Sequence, residues 1–387
     1  MSLMETQVRL GEFEGVVSLN NPVLRYPDNP ILTCHDVNEV WGDNPLWQTY
    51  TVHNAGMAQI LTAEGDPQTL MLFRSHLADG RSGIGKAVSD IGLTGWRIDS
   101  KPFLLPAKDS DNFARGLDSR ATEAIIEAEG GGVEDLRINP VGNGQFVLTY
   151  SAYHETKPNR VKVMIATTSD FETIERHGPI STEDMRNVVI FPEPDKNGQW
   201  SALLRPNDKA LEEAGASHTG GAFEEIRIGR APSPTGPWTI GEVIMRSGHG
   251  PSAAQSKIGP CAPPLWTPQG WLSIIHGVRG TMDGNPYTLG VAFHDLDNPA
   301  KVHLSAAPIL MPSQSDCRVR ETDYVHVPNV VFSCGALILG DGETVAIYYG
   351  GNDTEMNVGL SNVGVLREMC NTFAQDPLTG KHLYSLN

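Results

Sequence analysis

Short runs of hydrophobic residues, often alternating with polar ones, dominate the pattern along this chain. Their length and their content of β-branched residues predict β-strands. Helical periodicity is much rarer and predicts helices only at 121–129, 208–215 and 366–372. The pattern therefore predicts an all-β fold. The predicted strands are 68–74, 145–153, 161–167, 188–191, 200–205, 271–277, 288–294, 330–339 and 344–350.

A turn built from small residues and Asp follows several of the predicted strands. It recurs near positions 90, 170, 233, 295 and 353. A period of about 60–80 residues with several strands per repeat is typical of propeller blades. Five turns predict a five-bladed β-propeller, whereas a β-sandwich with long loops would not need the same turn five times. We expect residues 1–387 to form a single propeller domain with short terminal extensions.

Composition adds limits on partners and location. The 40 glycines and 27 prolines fit a fold with many turns. A net charge of −17 argues against nucleic acid or an anionic membrane surface as a partner, although it leaves room for a local basic pocket. The five cysteines include no CxxC pair, so neither a disulfide framework nor a metal site is expected. We find no signal-peptide pattern and no membrane-spanning apolar stretch, and therefore predict a cytoplasmic location.

Residues 130–137 hold the first candidate for chemistry, a run of glycines followed by Glu134, Asp135, Leu136 and Arg137. A carboxylic acid in this position could donate a proton to a leaving group. A surface Asp–Arg pair behind a glycine turn explains the bare motif at least as well. Propellers gather ligands at the mouth of their channel, so partners for such an acid should come from distant parts of the sequence.

Arginine and other polar residues flank several predicted strands. Arg74 and Arg81 follow an apolar run, and a guanidinium binds oxygen anions in a bidentate manner. A surface salt bridge is the open alternative for both. A lone His such as His276 is more often a hydrogen-bonded core histidine than a catalyst, and Asp353, taken alone, is better explained as part of a strand and its turn. The remaining candidates complete the set. They are Arg186, Asn187, Glu193, Arg205 and Arg279.

Together and in this order, these segments resemble glycoside hydrolase family 130, which contains β-mannoside phosphorylases and β-mannosidases. The resemblance runs from about residue 21 to residue 363, although each motif is weak by itself. Leu136 departs from it, because many members have Pro there. The matching segments are 29–32, 52–55, Arg74, 134–137, 187–193, 205–206, 259–278, 295–302, 328–332 and 348–353.

The resemblance implies a five-bladed propeller and an inverting reaction on a β-mannoside. It places the catalytic acid on Asp135, which in the family's phosphorylases protonates the leaving oxygen through a sugar hydroxyl. Family members often oligomerise, and loops such as 109–129 are expected to set the acceptor sugar. The implied substrate- or phosphate-binding residues are Asn54, Arg74, Arg81, Arg137, His154, Arg186, Asn187, Glu193, Arg205, His276 and Asp353.

Two reactions remain open within the family. A phosphorylase needs inorganic phosphate as co-substrate and no other cofactor, and it yields α-mannose 1-phosphate. A hydrolase activates water with a carboxylate, for which Glu224 and Glu225 are candidates. His154, Thr167 and Gln199 stand where family phosphorylases carry cations, which favours hydrolysis, whereas a cytoplasmic location favours phosphorolysis. We expect the phosphorylase; a non-catalytic sugar-binding propeller is the third interpretation.

Overall fold

The computed structural model describes residues 5–62, 64–157, 160–206, 224–247, 254–282, 284–316 and 327–374. The chain starts with a hairpin of β1 (Thr6–Leu10) and β2 (Phe13–Val17). The short strand β3 (Leu24–Arg25) and helix α1 (Cys34–Trp41) follow. These elements precede the first complete sheet and pack around the ring that the later strands form.

Helix α1 begins at a capping box rather than at an amphipathic repeat. The Thr33 hydroxyl accepts a hydrogen bond from the Asp36 amide, and the Asp36 carboxylate accepts one from the Thr33 amide at 2.8 Å. Only Val37 and Trp41 of the helix are buried. So short a hydrophobic stripe gives little helical periodicity, and the sequence pattern does not predict α1.

The next strands form five antiparallel sheets arranged as the blades of a propeller, which confirms the predicted fold. The first strand of each blade lies innermost and contacts the neighbouring blades. Blade I contains β4 (His53–Leu61), β5 (Pro67–His76), β6 (Ser82–Ser89) and β7 (Arg97–Ile98). Blade II contains β8 (Gly132–Pro140), β9 (Phe146–Tyr153), β10 (Val161–Thr168) and β11 (Glu175–Pro179).

Blade III contains β12 (Met185–Ile190), β13 (Trp200–Pro206), β14 (Glu225–Ala231) and β15 (Thr239–Arg246). Blade IV contains β16 (Lys257–Pro260), β17 (Leu265–Thr267), β18 (Gly270–Val278), β19 (Tyr287–His294) and β20 (Val302–Leu304). Blade V contains β21 (Val331–Ile338), β22 (Thr344–Gly351) and β23 (Glu355–Asn362). A short 3₁₀ helix, Gln314–Asp316, lies between blades IV and V.

Strand β3 closes the ring. It pairs with β23 through Arg25 opposite Gly359 and Leu24 opposite Leu360, and so supplies the fourth strand of blade V from the N-terminal region. After β23 the chain continues into helix α3 (Val363–Thr372). The side chain of Asn362 caps the start of this helix. Closure by a strand from the other end of the sequence ties the first and last blades together.

Helix α2 (Ser119–Glu129) lies within the insertion 109–129 and is fixed by a buried acid at its end. Glu129 accepts hydrogen bonds from the Tyr150 hydroxyl at 2.7 Å and from Nε of Arg176 at 3.2 Å. The predicted helices 121–129 and 366–372 correspond to α2 and α3. The predicted helix 208–215 lies outside the described residues.

The hydrophobic core is divided among the boundaries between blades. Within the described ranges, buried apolar residues form five clusters, each shared by two neighbouring blades. For example, Leu72 and Ile84 of blade I pack with Val133 and Leu148 of blade II. Blade-to-blade contacts therefore carry most of the apolar burial that the clusters describe.

The turns that predicted five blades are not all equivalent. Those near 90, 170, 233 and 295 join the last two strands of their blades. The turn near 353 instead joins β22 to β23, because blade V takes its last strand from the N-terminal region. The predicted number of blades is right, although the fifth turn lies at the opposite end of the ring from the other four.

The structure also bears on the predictions for the cysteines and for membrane-spanning segments. Cys34, Cys261, Cys334 and Cys370 have free thiols, and Cys317 lies outside the described residues. Among the helices that the structure describes, none combines the length and the apolar character that crossing a bilayer requires.

Candidate active site

One end of the ring, which we call the mouth, is where the innermost strands β4, β8, β12, β16 and β21 begin. Strands β4, β8 and β12 each carry a bulge at this end. In each bulge one residue has a left-handed backbone, namely Asn54 (φ 50°), Asp135 (φ 50°) and Asn187 (φ 55°). Asn and Asp tolerate this conformation better than other residues with a Cβ. The same local device therefore gives three neighbouring blades an equivalent polar residue at the mouth.

Asp135 connects side chains from blades I and II. Its Oδ1 accepts hydrogen bonds from Nδ2 of Asn54 at 3.1 Å and from Nη1 of Arg74 at 3.1 Å. Arg137, two residues further along β8, donates to the Asp135 backbone carbonyl at 2.5 Å. The carboxylate is thus held in one position at the boundary between the two blades.

Arg74 is buried at the mouth end of β5 and serves two adjacent acids. Its Nη2 donates to Oε1 of Glu134 at 2.7 Å and lies 2.9 Å from Nε2 of His76. The Ser82 hydroxyl donates to the same Glu134 oxygen at 2.9 Å. One guanidinium therefore compensates the charges of both Glu134 and Asp135, which adjoin in sequence.

The turn between β22 and β23 brings a third carboxylate into this cluster. Asn352 and Asp353 both have positive φ angles, 50° and 49°, as the two central residues of a tight hairpin turn often do. The Thr354 amide closes the turn onto the Gly351 carbonyl at 2.9 Å. Nδ2 of Asn54 lies 3.3 Å from Oδ1 of Asp353, so Asn54 bridges Asp353 and Asp135.

Burial and charge set the pKa values of these carboxyl groups apart. Burial raises the pKa of Asp135, but Arg74 and Arg137 outweigh burial and hold that pKa below its usual range. Burial also raises the pKa of Glu134, although Arg74 opposes the rise. Burial raises the pKa of Asp353 to about 6 against the charge of Arg74. Around neutral pH, Asp135 is therefore the most firmly ionised of the three.

Basic side chains from blades II, III and IV lie near one another on the other side of the mouth. Arg205 at the end of β13 forms an ion pair with Glu224, with 3.1 Å between Nε and Oε2. Burial lowers the pKa of His276 well below its usual range, and the nearby charges of Arg205, Arg137 and Lys257 add to the effect. His276 is therefore neutral, and the region around it is cationic.

Three buried polar atoms at the mouth have no hydrogen-bond partner among the described residues. They are Oδ1 of Asn54, Nη2 of Arg137 and Nε of Arg186. The guanidinium of Arg186 also lies 5.5 Å above the ring of Tyr153. Buried polar groups in native proteins nearly always have partners. These atoms therefore mark where a polar ligand fits.

Four of the residues predicted for the site are not brought to this cluster. Arg81 is exposed and pairs with Asp79 at 2.6 Å. His154 lies at the mouth end of blade II but contacts Glu127 of α2 at 3.0 Å. Glu225 is turned toward the outer strands, where it pairs with Arg227 and Arg246. Glu193 is exposed in the turn after β12, at the end of blade III away from the mouth.

Thr167 and Gln199, which stand where family phosphorylases were expected to carry cations, are also distant from the mouth. Thr167 lies opposite Val147 near the end of β10, and Gln199 immediately precedes β13. Both places are at the end of the ring away from the mouth, so neither bears on anion binding there. Lys257, which the sequence analysis did not select, begins β16 at the mouth and lies 3.4 Å from the Tyr287 hydroxyl.

Sequence reasoning missed Ser82 and Tyr153 as well as Lys257. All three stand at strand ends that meet at the mouth. Strand order supplies a signal that could have found them, because the first and third strands of a blade begin at the mouth and the second ends there.

Comparison with known proteins agrees with this geometry. The family model described as beta-1,4-mannooligosaccharide phosphorylase, of glycoside hydrolase family 130, matches residues 120–372. A 4-O-β-D-mannosyl-D-glucose phosphorylase of Bacteroides fragilis is 28% identical over 97% of this chain and 90% of its own length. A 1,2-β-oligomannan phosphorylase of Thermoanaerobacter is 26% identical over 87% of this chain and 96% of its own length.

Among solved structures, β-1,2-mannobiose phosphorylase from Listeria innocua superposes with a TM-score of 0.70. The match is 23% identical in sequence and covers 90% of this chain and 99% of that one, so it supports the fold. The family model spans more than half of the chain, including the whole of β8 and all strands of blades II, III and IV. The chain belongs to glycoside hydrolase family 130.

Proposed function

We propose that this chain is an inverting β-mannoside phosphorylase that transfers a mannosyl group to inorganic phosphate. The observation that carries the proposal is the division of the mouth into two halves. Asp135 is fixed by Asn54 and Arg74 on one side. On the other side, Arg205 and Lys257 both lie near His276, where their charges add to that of Arg137. A proton source facing an anion site is what phosphorolysis requires.

In the proposed reaction a phosphate oxygen forms a bond to the anomeric carbon while the glycosidic C–O bond breaks. Attack on the face opposite the leaving oxygen inverts the configuration and gives α-mannose 1-phosphate. The leaving oxygen takes a proton that originates on Asp135 and passes through a sugar hydroxyl. Phosphate is already an anionic nucleophile, so it needs cations that position it rather than a second carboxylate that removes a proton.

Arg74 and Arg137 favour the ionised form of Asp135 and so hold its pKa low. A proton donor must carry its proton when the bond breaks. Phosphate brings negative charge to the mouth, and a nearby like charge raises a carboxyl pKa. We propose that binding of phosphate in this way prepares Asp135 as the donor.

The carboxylates suggested for a hydrolase are occupied by arginines. Glu224 accepts hydrogen bonds from Arg205, and Glu225 pairs with Arg227 and Arg246. Arg205 engages Oε2 of Glu224, Glu225 faces the outer strands, and the cations at the mouth attract an anionic nucleophile more strongly than neutral water. We therefore favour phosphate over water as the nucleophile.

We propose that Asn54 and Asp353 bind hydroxyls of the mannosyl residue beside Asp135. Asn54 offers a buried carbonyl oxygen without a partner, and Asp353 offers a carboxyl whose pKa burial raises to about 6. Related proteins are named for several acceptors and linkages, so we propose β-mannosyl disaccharides or oligosaccharides as substrates. We place the reaction in the cytoplasm, where phosphorolysis conserves the energy of the glycosidic bond in a sugar phosphate.

The deciding experiment incubates the purified chain with β-mannosyl disaccharides in the presence and absence of inorganic phosphate. We expect mannose 1-phosphate to form only when phosphate is present, with little free mannose in either case. Free mannose at the same rate in both samples would instead select the hydrolase. Binding without turnover under any condition would favour the non-catalytic interpretation.

A further inference from the structure

A groove of about 770 Å³ lies beside the mouth, between blades I and II. Its apolar lining includes Leu46 and Trp47 of the loop after α1, Phe103 and Leu105 of the segment after β7, and Ile126 of α2. Leu46 is 63% exposed. The volume lies within the range of roughly 300–1,000 Å³ that small-molecule sites occupy.

Most of the charged groups along the groove form ion pairs with other lining residues. Arg81 pairs with Asp79 at 2.6 Å, and Arg176 pairs with Asp111 at 2.9 Å. Lys86 similarly pairs with Asp99 at 2.9 Å. Five basic and five acidic side chains line the groove, although the whole chain carries a net charge of −17. A balanced lining gives little net attraction to an ion and favours a neutral ligand.

Partly exposed aromatic rings and the exposed side chain of Leu46, beside paired charges, suit a neutral polyhydroxylated ligand. The C–H faces of a sugar ring can cover Trp47 and Phe103, which would otherwise present apolar surface to water. The hydroxyl groups can bond to the outer oxygens and nitrogens of the ion pairs, which carry spare hydrogen-bonding capacity. The lining therefore fits an oligosaccharide better than a lipid or an anion.

The groove adjoins the mouth through a single hairpin. Ser82 donates to Glu134 within the cluster that holds Asp135, and the preceding residue Arg81 lines the groove. On the facing blade, Gly130 lines the groove, and Gly132 lies so close that a Cβ there would be 2.9 Å from the Ser82 amide nitrogen. Because blades I and II are packed this closely at Gly132, a chain leaving the mouth reaches the groove over the rim formed by Arg81 and Gly130, not through the seam between the blades.

We propose that this groove binds the distal sugar units, on the leaving-group side, of a β-mannoside longer than a disaccharide. The proposal rests on the proposed function, in which the transferred mannosyl residue occupies the mouth beside Asp135. The rest of an oligosaccharide must then extend outward. The groove offers it an apolar, charge-balanced surface that starts one residue from the cluster.

The test compares a β-mannosyl disaccharide with a pentasaccharide of the same linkage. We expect Trp47→Ala to lower kcat/KM for the pentasaccharide by about tenfold, equivalent to roughly 1.4 kcal/mol, and to leave the disaccharide unchanged. Trp266→Ala is the matched control, since Trp266 is 53% exposed on β17 of blade IV, away from the groove. Equal effects on both substrates, or none on either, would overturn the proposal.

A second variant guards against loss of folding, because Trp47 also packs against the core cluster around Trp41. Arg81→Ala changes an exposed side chain of the groove, and Arg97→Ala removes a similarly exposed arginine paired with Asp90 at 2.8 Å outside it. We expect only Arg81→Ala to reduce pentasaccharide turnover selectively.

Calorimetry separates this inference from the proposed function. With Asp135→Asn present to prevent turnover, adding Trp47→Ala should weaken pentasaccharide binding about tenfold and disaccharide binding hardly at all. Failure of the wild-type chain to use phosphate would contradict the proposed function, while this measurement would still decide the groove. Unchanged pentasaccharide affinity would rule the groove out.

Discussion

The guanidinium of Arg74 in blade I donates a hydrogen bond of 3.1 Å to the carboxylate of Asp135 in blade II. The two residues belong to different sheets, and apolar contacts between those sheets hold the residues at this distance. The position of the candidate proton donor therefore depends on blade-to-blade packing as much as on its own strand.

Asp135→Asn should abolish turnover while preserving the fold. The amide cannot supply the proton, and removing a general acid typically costs about 10²–10⁴-fold in rate. Mannose 1-phosphate formation at saturating phosphate measures the effect. Glu193→Gln is the matched control and should keep full activity, because Glu193 is exposed in the turn after β12, away from the mouth. Near-normal turnover by the Asp135 variant would remove that residue from the role.

Arg74→Ala should destabilise the protein as well as inactivate it. The change leaves Glu134 and Asp135 buried without their shared cation, and breaking such a pair costs about 3–5 kcal/mol. Urea unfolding followed by fluorescence measures the free energy of unfolding. Arg74→Lys keeps one charge but cannot span both acids, so we expect it to recover part of the stability and little activity. Full activity in the lysine variant would show that the bridging geometry is not required.

Lys257→Ala should weaken phosphate binding more than mannoside binding. Lys257 lies near Arg205 and His276 on the half of the mouth opposite Asp135. We expect KM for phosphate to rise roughly tenfold, as loss of one charge-assisted hydrogen bond implies, with a smaller change in KM for the sugar. Lys301→Ala serves as the control, since Lys301 is exposed in the turn before β20. A rise confined to the sugar KM would contradict the assignment.

The sequence predicted the all-β fold and the five blades because strand periodicity and turn chemistry are local properties. It also selected Asp135, Asn54, Arg74 and Asp353, which the structure brings together. The single-domain boundaries, the cytoplasmic location and the roles of the site residues remain predictions.

Several of the wrong predictions for site residues share one cause. The pattern along a strand does not show which end of that strand lies at the mouth of the ring. Glu193 follows the first strand of its blade and therefore lies away from the mouth, whereas Arg205 ends the second strand and lies at it. Thr167 and Gln199 lie away from the mouth for the same reason, because β10 ends and β13 begins at that end of the ring. Arg81 lies at the right end of its blade, but its pairing with Asp79 turns its charge away from Asp135, and no local pattern encodes that choice.

Asp353→Asn should make the protein more stable near neutral pH while reducing its activity. Burial raises the pKa of Asp353 from its usual 3.8 to about 6, so the folded state holds this proton more tightly than the unfolded state does. Between these two values the folded state binds more protons, and the free energy of unfolding therefore falls as pH rises. Asparagine cannot ionise, so the free energy of unfolding of the variant does not fall with pH for this reason. Its excess stability over the wild type should grow from pH 4 to pH 6 and persist at pH 7.

Asp135→Asn should change the free energy of unfolding near neutral pH in the opposite direction. The pKa of Asp135 is held below its usual 3.8, so its ionised form contributes stability above that pH, and this stability is lost as pH falls through the lower folded value. Urea unfolding of both variants from pH 4 to pH 7 measures the two effects. At pH 7 we expect the Asp353 variant to be more stable than the wild type and the Asp135 variant to be less stable. If the Asp353 variant were the less stable at pH 7, its hydrogen bond with Asn54 would outweigh the cost of burying its charge.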